Sequence, residues 1–286
     1  MPFIPPLRAA PAAMTEEEYL LLNELIAGAM GVSFPEHKRE LLEARLRPRL
    51  QALRLPRYLD YYFLLQAGDG AERRRLAELV TNNETYFFRE THQFEALFEQ
   101  ALDDLRPAAV VPGGLRLLLA GCSSGEEAYT LAIYARQNFV RMAGTALAID
   151  AFDVDDSRVA AAQRAEYGAA SFRATTPEQL ARYFLPAGDG RWAVKPFLAG
   201  GLRFHRANIL DLASFAAPLR YDAVFCRNVL IYFEPPAVRQ AIANFAAVLR
   251  RGGLLFLGHS ESIIGLSADF ETVRLRNLIA YRKVRS

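Results

Sequence analysis

The sequence predicts an all-helical N-terminal domain followed by an α/β domain that carries a small β-insertion. Two observations lead to this prediction. Residues 15–81 show the helical spacing of apolar residues without a strand pattern. After residue 110, short apolar runs alternate with helical segments, which is typical of a largely parallel sheet with helices on both faces. The chain of 286 residues is long enough for two such domains.

The helical domain, residues 15–81, is predicted to begin with a capping box. Thr15 can accept a hydrogen bond from an early backbone N–H, and the side chain of Glu18 can reach back to the cap. The helix that follows is expected to end at Gly31. The first 14 residues contain four prolines, and we expect residues 1–14 to form a flexible tail.

A second helix is predicted over Glu36–Leu53, followed by helices at Tyr58–Gln66 and Ala71–Thr81. The apolar face of the second helix is formed by leucines at helical spacing: Leu42, Leu46, Leu50 and Leu53. Pro48 lies inside this helix. We expect it to bend or split the helix, because proline lacks a backbone N–H and its ring crowds the preceding turn.

The α/β domain is predicted to span residues 82–286, with a sheet built from short apolar runs: Leu115–Gly121, Ala146–Phe152, Leu202–His205, Ala223–Cys226 and Leu254–Gly258. The segment Phe270–Val284 is expected to add an antiparallel hairpin at one edge. Residues 176–203 fit the alternation badly because glycine-rich turns interrupt them. This segment is interpreted as the β-insertion.

The composition excludes several classes of protein. The net charge of +2 is too small to indicate nucleic-acid binding by itself. The two cysteines, Cys122 and Cys226, form no CxxC pair, which argues against a disulfide framework and against a zinc site. The sequence contains no apolar stretch of about 18 residues that would suit a membrane span. We therefore expect a cytoplasmic protein that binds neither a metal ion nor nucleic acid and does not insert into a membrane. We also expect it to be a monomer.

A glycine loop joins the first predicted strand to a helix. Gly121 and Gly125 have the spacing G-x-x-x-G, which differs from the G-x-G-x-x-G of dinucleotide-binding loops. Glu126 and Glu127 begin the helix; they would repel a pyrophosphate but suit a cationic sulfonium. The alternative is a purely structural turn with acidic residues at a helix N-terminus.

Polar side chains follow three further predicted strands. Asp153 ends the second strand, Asn208 follows the third and Asn228 the fourth. Ligands of open α/β sheets bind at these strand ends, and a carboxylate there can accept both hydroxyls of a ribose. Alternatively, Asp153 is a surface carboxylate and each asparagine is a turn residue.

An aromatic segment, Asn83–Glu90, connects the helical domain to the α/β domain. It can join the two domains, or it can cover a cofactor and direct Arg89 into a site.

Five short segments carry a family resemblance: Asn83-x-Thr85-x-Phe87-Phe88-Arg89-Glu90, Ser124-Gly125-Glu126-Glu127-x-Tyr129, Asp153-x-Asp155, Phe225-Cys226-Arg227-Asn228-Val229-x-Ile231-Tyr232-Phe233 and Gly258-His259-Ser260-Glu261. In order and spacing they resemble the CheR-type chemotaxis receptor methyltransferase family over nearly the whole chain. The resemblance implies a Rossmann-like S-adenosylmethionine-dependent methyltransferase domain with a β-insertion, preceded by the helical domain. It implies S-adenosyl-L-methionine as cofactor, with S-adenosyl-L-homocysteine as product, bound through Asn83, Thr85, Arg89, Glu127, Asp153, Asn208, Ile209, Asn228 and Val229. We add Gly121 of the glycine loop to this set.

The reaction that the resemblance implies is methylation of glutamate side chains on bacterial chemoreceptors. A glutamate carboxylate, with a reference pKa of about 4.3, is already ionised at neutral pH. Methyl transfer therefore needs no general base or metal ion, only alignment and exclusion of water. Arg89 is expected to position the carboxylate. Tyr232 is a second catalytic candidate, with a buried aromatic as the alternative, and His259 is interpreted as structural.

The second predicted helix is basic and forms a candidate receptor-binding face. Lys38, Arg45 and Arg49 lie on one side by spacing. In similar proteins this helix recognises the methylation region of the receptor cytoplasmic domain, and Arg45 and Arg49 fall on its basic positions. Gln51 and Pro48 depart from the family pattern. The alternative is a solvated helix face.

Some members of the family hold a peptide from the receptor C-terminus on the β-insertion. They use a longer loop than Pro186–Arg191 provides, so we expect no tethering peptide here. Three other functions remain as alternatives: a methyltransferase for another protein or a small molecule, a catalytically silent cofactor sensor, and a helical nucleic-acid binder.

Overall fold

The computed structural model describes residues 11–109, 114–142, 144–212 and 220–285. The chain divides into two compact units. The described residues up to Asn82, together with Tyr232–Glu234, form the first, here called the helical unit. The remaining described residues, Asn83–Ile231 and those from Pro235 onward, form the second, here called the sheet unit.

The helical unit contains four α-helices within the described residues: α1 Glu16–Met30, α2 Arg39–Leu53, α3 Tyr58–Gln66 and α4 Gly70–Val80. The predicted capping box is confirmed, since Thr15 accepts from the N–H of Glu18 and the Glu18 carboxylate accepts from the N–H of Thr15. Helix α1 ends at Gly31, which adopts a φ of 78°. A Cβ at Gly31 would come within 2.8 Å of the Phe233 ring, so this close approach requires glycine.

Pro48 does not split the second helix, which was one of the two effects predicted for it. Helix α2 continues through it to Leu53. The buried leucines on one face of the helix, Leu42, Leu46 and Leu50, are fully excluded from solvent. Their packing stabilises the helix on both sides of the proline and outweighs the loss of one backbone hydrogen bond.

Met14 is packed into the helical unit, which differs from the predicted flexible tail. Its side chain is only 2% exposed, and its carbonyl oxygen accepts a hydrogen bond from the Arg39 guanidinium. The N–H of Ala12 donates to the carbonyl oxygen of Pro56 at 3.1 Å. The rest of the predicted tail, residues 1–10, lies outside the described residues.

The sheet unit is built on a seven-stranded sheet in the order β6-β2-β1-β7-β8-β10-β9. Its strands are β1 Leu115–Ala120, β2 Leu147–Asp153, β6 Leu202–Arg206, β7 Tyr221–Cys226, β8 Leu249–Leu257, β9 Phe270–Leu275 and β10 Leu278–Lys283. Strands β6, β2, β1, β7 and β8 run parallel, whereas β10 is antiparallel to both β8 and β9. The predicted Rossmann-like fold class and the antiparallel edge hairpin are confirmed.

The helices of the sheet unit are α5 His92–Ala96, α6 Leu102–Ala109, α7 Glu126–Gln137, α8 Asp156–Arg164, α9 Pro177–Tyr183 and α10 Pro235–Val248, with a π-helical turn at Leu97–Ala101. Helix α9 belongs to the β-insertion. The core is aromatic near the middle of the sheet, where Phe225 and Phe256 stack with their ring centroids 4.6 Å apart. Because neighbouring parallel strands end at one edge, the carboxyl ends of β6, β2, β1 and β7 lie side by side.

The β-insertion forms a separate three-stranded sheet in the order β3-β5-β4. Its strands are β3 Glu166–Tyr167, β4 Phe184–Gly188 and β5 Arg191–Val194. Strand β3 lies before residue 176, where the insertion was predicted to begin. The sequence does not reveal this strand, because two residues give no readable alternation of apolar and polar positions. The ring of Phe87 packs against Tyr167, Phe172 and Phe184, with centroid distances from 4.7 to 5.1 Å.

Candidate functional site

The glycine loop after β1 is held against the end of β2. The N–H groups of Gly121 and Cys122 both donate to the carbonyl oxygen of Phe152 at 2.9 Å. Gly121 has a φ of 78°, and a Cβ there would lie 2.6 Å from Cγ2 of Val229. Only glycine fits this position, and the structure thereby brings two predicted cofactor-binding residues together.

The second glycine of the loop has a packing role. Gly125 adopts a φ of 91° at the N-cap of α7, and a Cβ there would lie 2.8 Å from Cβ of Ala162 in α8. The structural alternative considered for the loop therefore applies to Gly125.

Asp153 ends β2 as a buried carboxylate, so it is not the surface residue considered as its alternative. It is 7% exposed, and its oxygens accept from the N–H of Ser123 at 2.8 Å and of Asp155 at 3.0 Å. Burial raises the pKa of Asp153 to about 6, although these N–H donors oppose the shift. An ionised carboxylate offers about four lone-pair sites, so Asp153 can accept further hydrogen bonds from a ligand.

The segment that begins at Asn83 is fastened to the same strand ends. The Asn83 amide donates to Oδ2 of Asp155 at 3.0 Å, and its carbonyl oxygen accepts from the Ser123 hydroxyl at 3.3 Å. Asp155 also caps α8 by accepting from the N–H groups of Ser157 and Arg158. Asn83 is thus placed beside Asp153, and Thr85 follows it as a partly buried residue.

Arg89 lies in a tight turn whose neighbours, Phe88 and Glu90, both adopt positive φ values. The N–H of Phe88 donates to the Thr130 hydroxyl of α7 at 3.1 Å, which fixes the turn against the start of that helix. The Arg89 side chain is 22% exposed, and its Nη1 donates to the carbonyl oxygen of Glu84 at 2.8 Å. The guanidinium is therefore held near the strand ends and remains partly open to solvent.

Arg227 lies at the centre of this site, and sequence reasoning did not identify it. Its side chain is 1% exposed, and its Nη2 donates to the carbonyl oxygen of Arg89 at 2.8 Å. Its guanidinium nitrogens lie 3.2 Å from Oε2 of Glu127 and 3.5 Å from Oε2 of Glu90. The guanidinium also covers the Phe94 ring, 5.0 Å from its centroid. A charged residue that directly follows the apolar run of β7 was the available signal.

The two acidic residues that begin α7 have different roles. Glu126 is 2% exposed, and its carboxylate accepts from the hydroxyls of Ser124 and Ser171, both at 2.8 Å, so it is structural. Glu127 keeps 20% of its side chain exposed. Burial raises the pKa of Glu127, whereas Arg227 and then Arg89 lower it. Glu127 is therefore the acidic residue of α7 that can reach a ligand.

The backbone of Asn228 and Val229 is held by hydrogen bonds to a carboxylate that was not among the predicted site residues. Glu261 accepts from the N–H of Asn228 and of Val229, both at 2.9 Å. It also accepts from the N–H groups of Gly258 and Ile231. Asn228 adopts a φ of 58°, a left-handed conformation that these hydrogen bonds stabilise.

Asn208 and Ile209 follow β6 at the same edge of the sheet. The N–H of Ala207 donates to the carbonyl oxygen of Asp153 at 3.0 Å, which places this turn beside the end of β2. Oδ1 of Asn208 accepts from the N–H of Leu210, and the Ile209 carbonyl oxygen accepts from Asn244 of α10. Asn208 thus acts as a turn residue while it lies among the predicted cofactor-binding residues.

His259 contacts Glu90, as its structural interpretation requires. Its Nδ1 lies 3.1 Å from Oε1 of Glu90, and 67% of its side chain is exposed.

Four predicted site residues belong to the helical unit: Lys38, Arg45, Arg49 and Tyr232. The Tyr232 hydroxyl accepts a hydrogen bond from the Asn82 amide, and its carbonyl oxygen accepts from the N–H of Ser33 at 2.9 Å. Tyr232 is partly exposed, so it is not the buried aromatic considered as the alternative.

The three basic residues of the candidate receptor-binding face differ in their contacts. Lys38 is exposed. Arg45 donates to the carbonyl oxygens of Val80 at 2.5 Å and of Thr81 at 3.3 Å, and so closes the C-terminus of α4. Arg49 forms a two-pronged ion pair with Glu72, which is 4% exposed and also accepts from the Tyr61 hydroxyl. Arg45 and Arg49 therefore contribute to the packing of the helical unit.

Two family descriptions match consecutive parts of the chain. Residues 17–81 match "CheR methyltransferase, all-alpha domain", and residues 83–279 match "CheR methyltransferase, SAM binding domain". The chain belongs to the CheR methyltransferase family. S-adenosylmethionine is accordingly its cofactor, and the expectation of a methyltransferase in chemotaxis is confirmed.

Relatives named chemotaxis protein methyltransferase are similar to this chain over most of their length. Chemotaxis protein methyltransferase 1 of Pseudomonas aeruginosa is 33% identical over 272 residues, which cover 93% of this chain and 97% of the relative. Chemotaxis protein methyltransferase 2 of Vibrio cholerae is 30% identical over 274 residues, 94% of each chain. The chemotaxis protein methyltransferase of Klebsiella aerogenes is 34% identical over 261 residues, 90% of this chain and 87% of the relative.

The strand-end residues of this CheR methyltransferase fit the cofactor chemically. Asp153 retains acceptor sites that suit ribose hydroxyls, and the carboxylate of Glu127 favours a ligand that carries positive charge. No cluster of His, Cys, Asp and Glu that could hold a metal ion occurs within the described part of the chain. Within the same residues, no helix has the length and apolar composition needed to cross a bilayer.

Proposed function

We propose that this CheR methyltransferase esterifies glutamate side chains in the cytoplasmic domain of chemoreceptors, giving glutamyl methyl esters for chemotaxis adaptation. The observation that carries the proposal is the placement of Arg89. Its partly open guanidinium lies in a turn that Arg227 ties to the acidic cofactor residue Glu127. A cation is thereby held next to the cofactor-binding residues, where it can receive a carboxylate nucleophile.

For this reaction the protein has mainly to position the glutamate carboxylate against the methyl group of the cofactor. When bound, S-adenosylmethionine supplies a methyl group on a positively charged sulfur. A glutamate carboxylate is ionised at neutral pH and needs no base. Arg89 can orient it by exchanging the Glu84 carbonyl oxygen for the substrate carboxylate. A partly exposed guanidinium aligns the carboxylate without binding it so tightly that the ground state is stabilised against reaction.

Tyr232 is the second residue that we assign to catalysis. Its hydroxyl accepts a hydrogen bond from Asn82, so its own proton is free to be donated to a carboxylate oxygen of the substrate.

The receptor is proposed to dock on α2 and the turn before it, through Lys38, which directly precedes the helix, and through Arg45 and Arg49. The guanidinium of Arg45 contacts carbonyl oxygens and the Phe34 ring, contacts that leave its positive charge available to an acidic partner. The pairing of Arg49 with Glu72 reduces its contribution, so Lys38 and Arg45 dominate the attraction. A receptor cytoplasmic domain as substrate places the enzyme in the cytoplasm, where we propose that it acts as a monomer.

We also propose that the enzyme needs no tethering peptide from the receptor C-terminus. Strands β4 and β5 are joined through Asp189 and Gly190 alone. This short connection leaves little surface beyond the strands for holding a peptide. Calorimetric titration of the enzyme with the isolated C-terminal receptor peptide is expected to give no heat of binding, and saturable binding would contradict this proposal.

The test of the main proposal is transfer of a labelled methyl group to purified receptor cytoplasmic domains. We expect label that base releases as methanol, because esters hydrolyse whereas methylated amines and amides do not. Arg89→Ala should reduce kcat by about 10²-fold or more at saturating cofactor, while S-adenosylhomocysteine binds with lower affinity because Arg89 is also a predicted cofactor-binding residue. Label transferred only to a small molecule, or cofactor binding without transfer to any receptor, would favour the alternative substrates or the silent sensor.

A further inference from the structure

Two arginines of the sheet unit share one tyrosine ring at the edge of the site. Cζ of Arg173 lies 3.7 Å from the ring centroid of Tyr86, and Cζ of Arg89 lies 5.7 Å from the same centroid. Both are attracted to the ring by cation–π interaction. Arg173 is thus a second guanidinium near the residue that we assign to the substrate carboxylate.

A carboxylate of the chain itself already occupies Arg173. Nη2 of Arg173 lies 2.5 Å from Oε1 of Glu84. The two side chains are 44% and 59% exposed, so solvent screens the pair and its net contribution to stability is small. A carboxylate from outside can therefore replace that of Glu84, while the Tyr86 ring keeps the guanidinium in place.

The segment that carries Arg173 is fixed next to the start of α7. The hydroxyl of Ser171 donates to Glu126, and its carbonyl oxygen accepts from the N–H of Phe87 at 2.9 Å. Phe172 stacks on Phe87 with a centroid distance of 5.1 Å. Arg173 directly follows these two residues, so its backbone is anchored to the segment that also carries Arg89.

We propose that Arg173 binds a second carboxylate of the receptor, so that the enzyme prefers target glutamates with an acidic residue beside them. In the free enzyme the carboxylate of Glu84 occupies the Arg173 guanidinium. The target glutamate goes to Arg89. An acidic side chain that neighbours it on the receptor surface displaces Glu84 from Arg173. This inference rests on the proposed function and extends it to the choice among receptor glutamates.

Steady-state kinetics with the receptor cytoplasmic domain test the two residues in opposite directions. Arg173→Ala should raise KM for the receptor about five- to tenfold, with kcat and S-adenosylhomocysteine affinity little changed. Glu84→Gln should lower KM about two- to fivefold, because the internal competitor is gone. Arg182→Ala is the matched control: Arg182 is also exposed and also lies over a tyrosine ring, 5.5 Å from the centroid of Tyr183.

The proposal is wrong if Arg173→Ala leaves KM unchanged or if Arg182→Ala raises it equally. A second test uses a receptor domain in which the acidic residues beside the target glutamate are changed to Gln or Asn. Arg173→Ala should carry no further penalty on this receptor, whereas a general loss of docking would penalise both receptors alike. Weakened S-adenosylhomocysteine binding in Arg173→Ala would instead show a structural role for Arg173.

A binding measurement separates this inference from the proposed reaction. Phenylglyoxal modifies exposed arginines, and mass spectrometry can follow Arg173 and Arg182 in the same sample. The receptor domain should protect Arg173 and leave Arg182 reactive, even with S-adenosylhomocysteine in place of the methyl donor. Protection without methyl transfer would reject the proposed reaction but keep the carboxylate site, and methyl transfer without protection would reject the site alone.

Discussion

The carboxylate of Glu261 accepts a hydrogen bond from the backbone N–H of Val229 at 2.9 Å, and with it holds the turn that follows β7. Its other oxygen accepts from Asn228 and Gly258. Glu261→Gln would place an NH₂ group against two N–H donors. We expect S-adenosylhomocysteine affinity to fall about tenfold or more, and the free energy of unfolding to fall by about 1–3 kcal/mol.

Calorimetry and thermal unfolding measure these two effects of Glu261→Gln. Glu271→Gln, an exposed carboxylate of the edge strand β9, serves as the control and should change neither. Unchanged cofactor affinity in Glu261→Gln would contradict the role assigned to Glu261.

The raised pKa of Asp153 makes cofactor binding depend on pH. In the free enzyme this pKa is about 6, so roughly half of the carboxyls are protonated at that pH. Ribose hydroxyls donate to the ionised form and therefore lower the pKa on binding. We expect S-adenosylhomocysteine to bind with proton release near pH 6, and the affinity to fall as pH falls below 6.

Calorimetry in buffers of different ionisation enthalpy counts the protons that accompany binding. The release should shrink at pH 8, where Asp153 is already ionised, and it should decrease in Asp153→Asn. Proton uptake near pH 6 would show that the ligand prefers a protonated site.

Arg227 is expected to keep Glu127 ionised. Other charged or ionisable groups act on Glu127 electrostatically: Arg89, Glu90, Glu261, Cys122 and Cys226. Burial and the neighbouring carboxylates raise the pKa of Glu127, and Arg227 is the first of the groups that lower it. In Arg227→Met the pKa of Glu127 should rise further. As the pH is lowered, Glu127 should then become protonated earlier, and cofactor affinity should begin to fall at a higher pH than in the unmodified enzyme.

Arg227→Lys separates the charge of this residue from its shape. It keeps the cation but loses the planar fork that reaches the Arg89 carbonyl oxygen, so it should restore the pH profile of cofactor binding without restoring full kcat. Thermal unfolding is measured in parallel, since removal of a buried cation costs about 3 kcal/mol or more. Identical pH profiles for Arg227→Met and the unmodified enzyme would refute the assignment.

Arg49 and Lys38 are predicted to affect different measurements. Arg49→Ala leaves the buried Glu72 without its cation and should lower the free energy of unfolding by about 2–3 kcal/mol. Lys38→Ala should leave stability unchanged and raise KM for the receptor. Arg47→Ala, on the same helix as Arg49 with 47% of its side chain exposed, should leave the free energy of unfolding nearly unchanged. Equal unfolding transitions for Arg49→Ala and Arg47→Ala would contradict the role of the Arg49–Glu72 pair.

Much of the fold could be read from the sequence because its signals are local. The capping box at Thr15, the stop at Gly31 and the alternation of strands and helices each depend on residues close in the chain. The split predicted as one outcome at Pro48 does not occur, because tertiary packing of the leucines on α2 outweighs a local penalty. Strand β3 was missed because two residues give no alternation.

The contacts within the candidate site were harder to predict than the strand ends that form it. Asp153 and Gly121 could be chosen because strand ends and glycine loops mark ligand sites in such folds. Arg227 and Glu261 act through backbone atoms of residues far away in the chain, 138 positions in the contact to Arg89 and 33 in the contact to Asn228. A sequence pattern carries no record of such pairings, and likewise gave no indication that Arg49 is paired with Glu72.

The most direct test of the proposed glutamate esterification is tandem mass spectrometry of a receptor cytoplasmic domain after incubation with the enzyme and S-adenosylmethionine. We expect the added methyl group on the side-chain carboxyl of particular glutamates, and its disappearance after mild alkaline treatment. A methyl group on lysine, arginine or an amide nitrogen, or an unmodified receptor from an enzyme that demonstrably binds the cofactor, would contradict the proposed reaction.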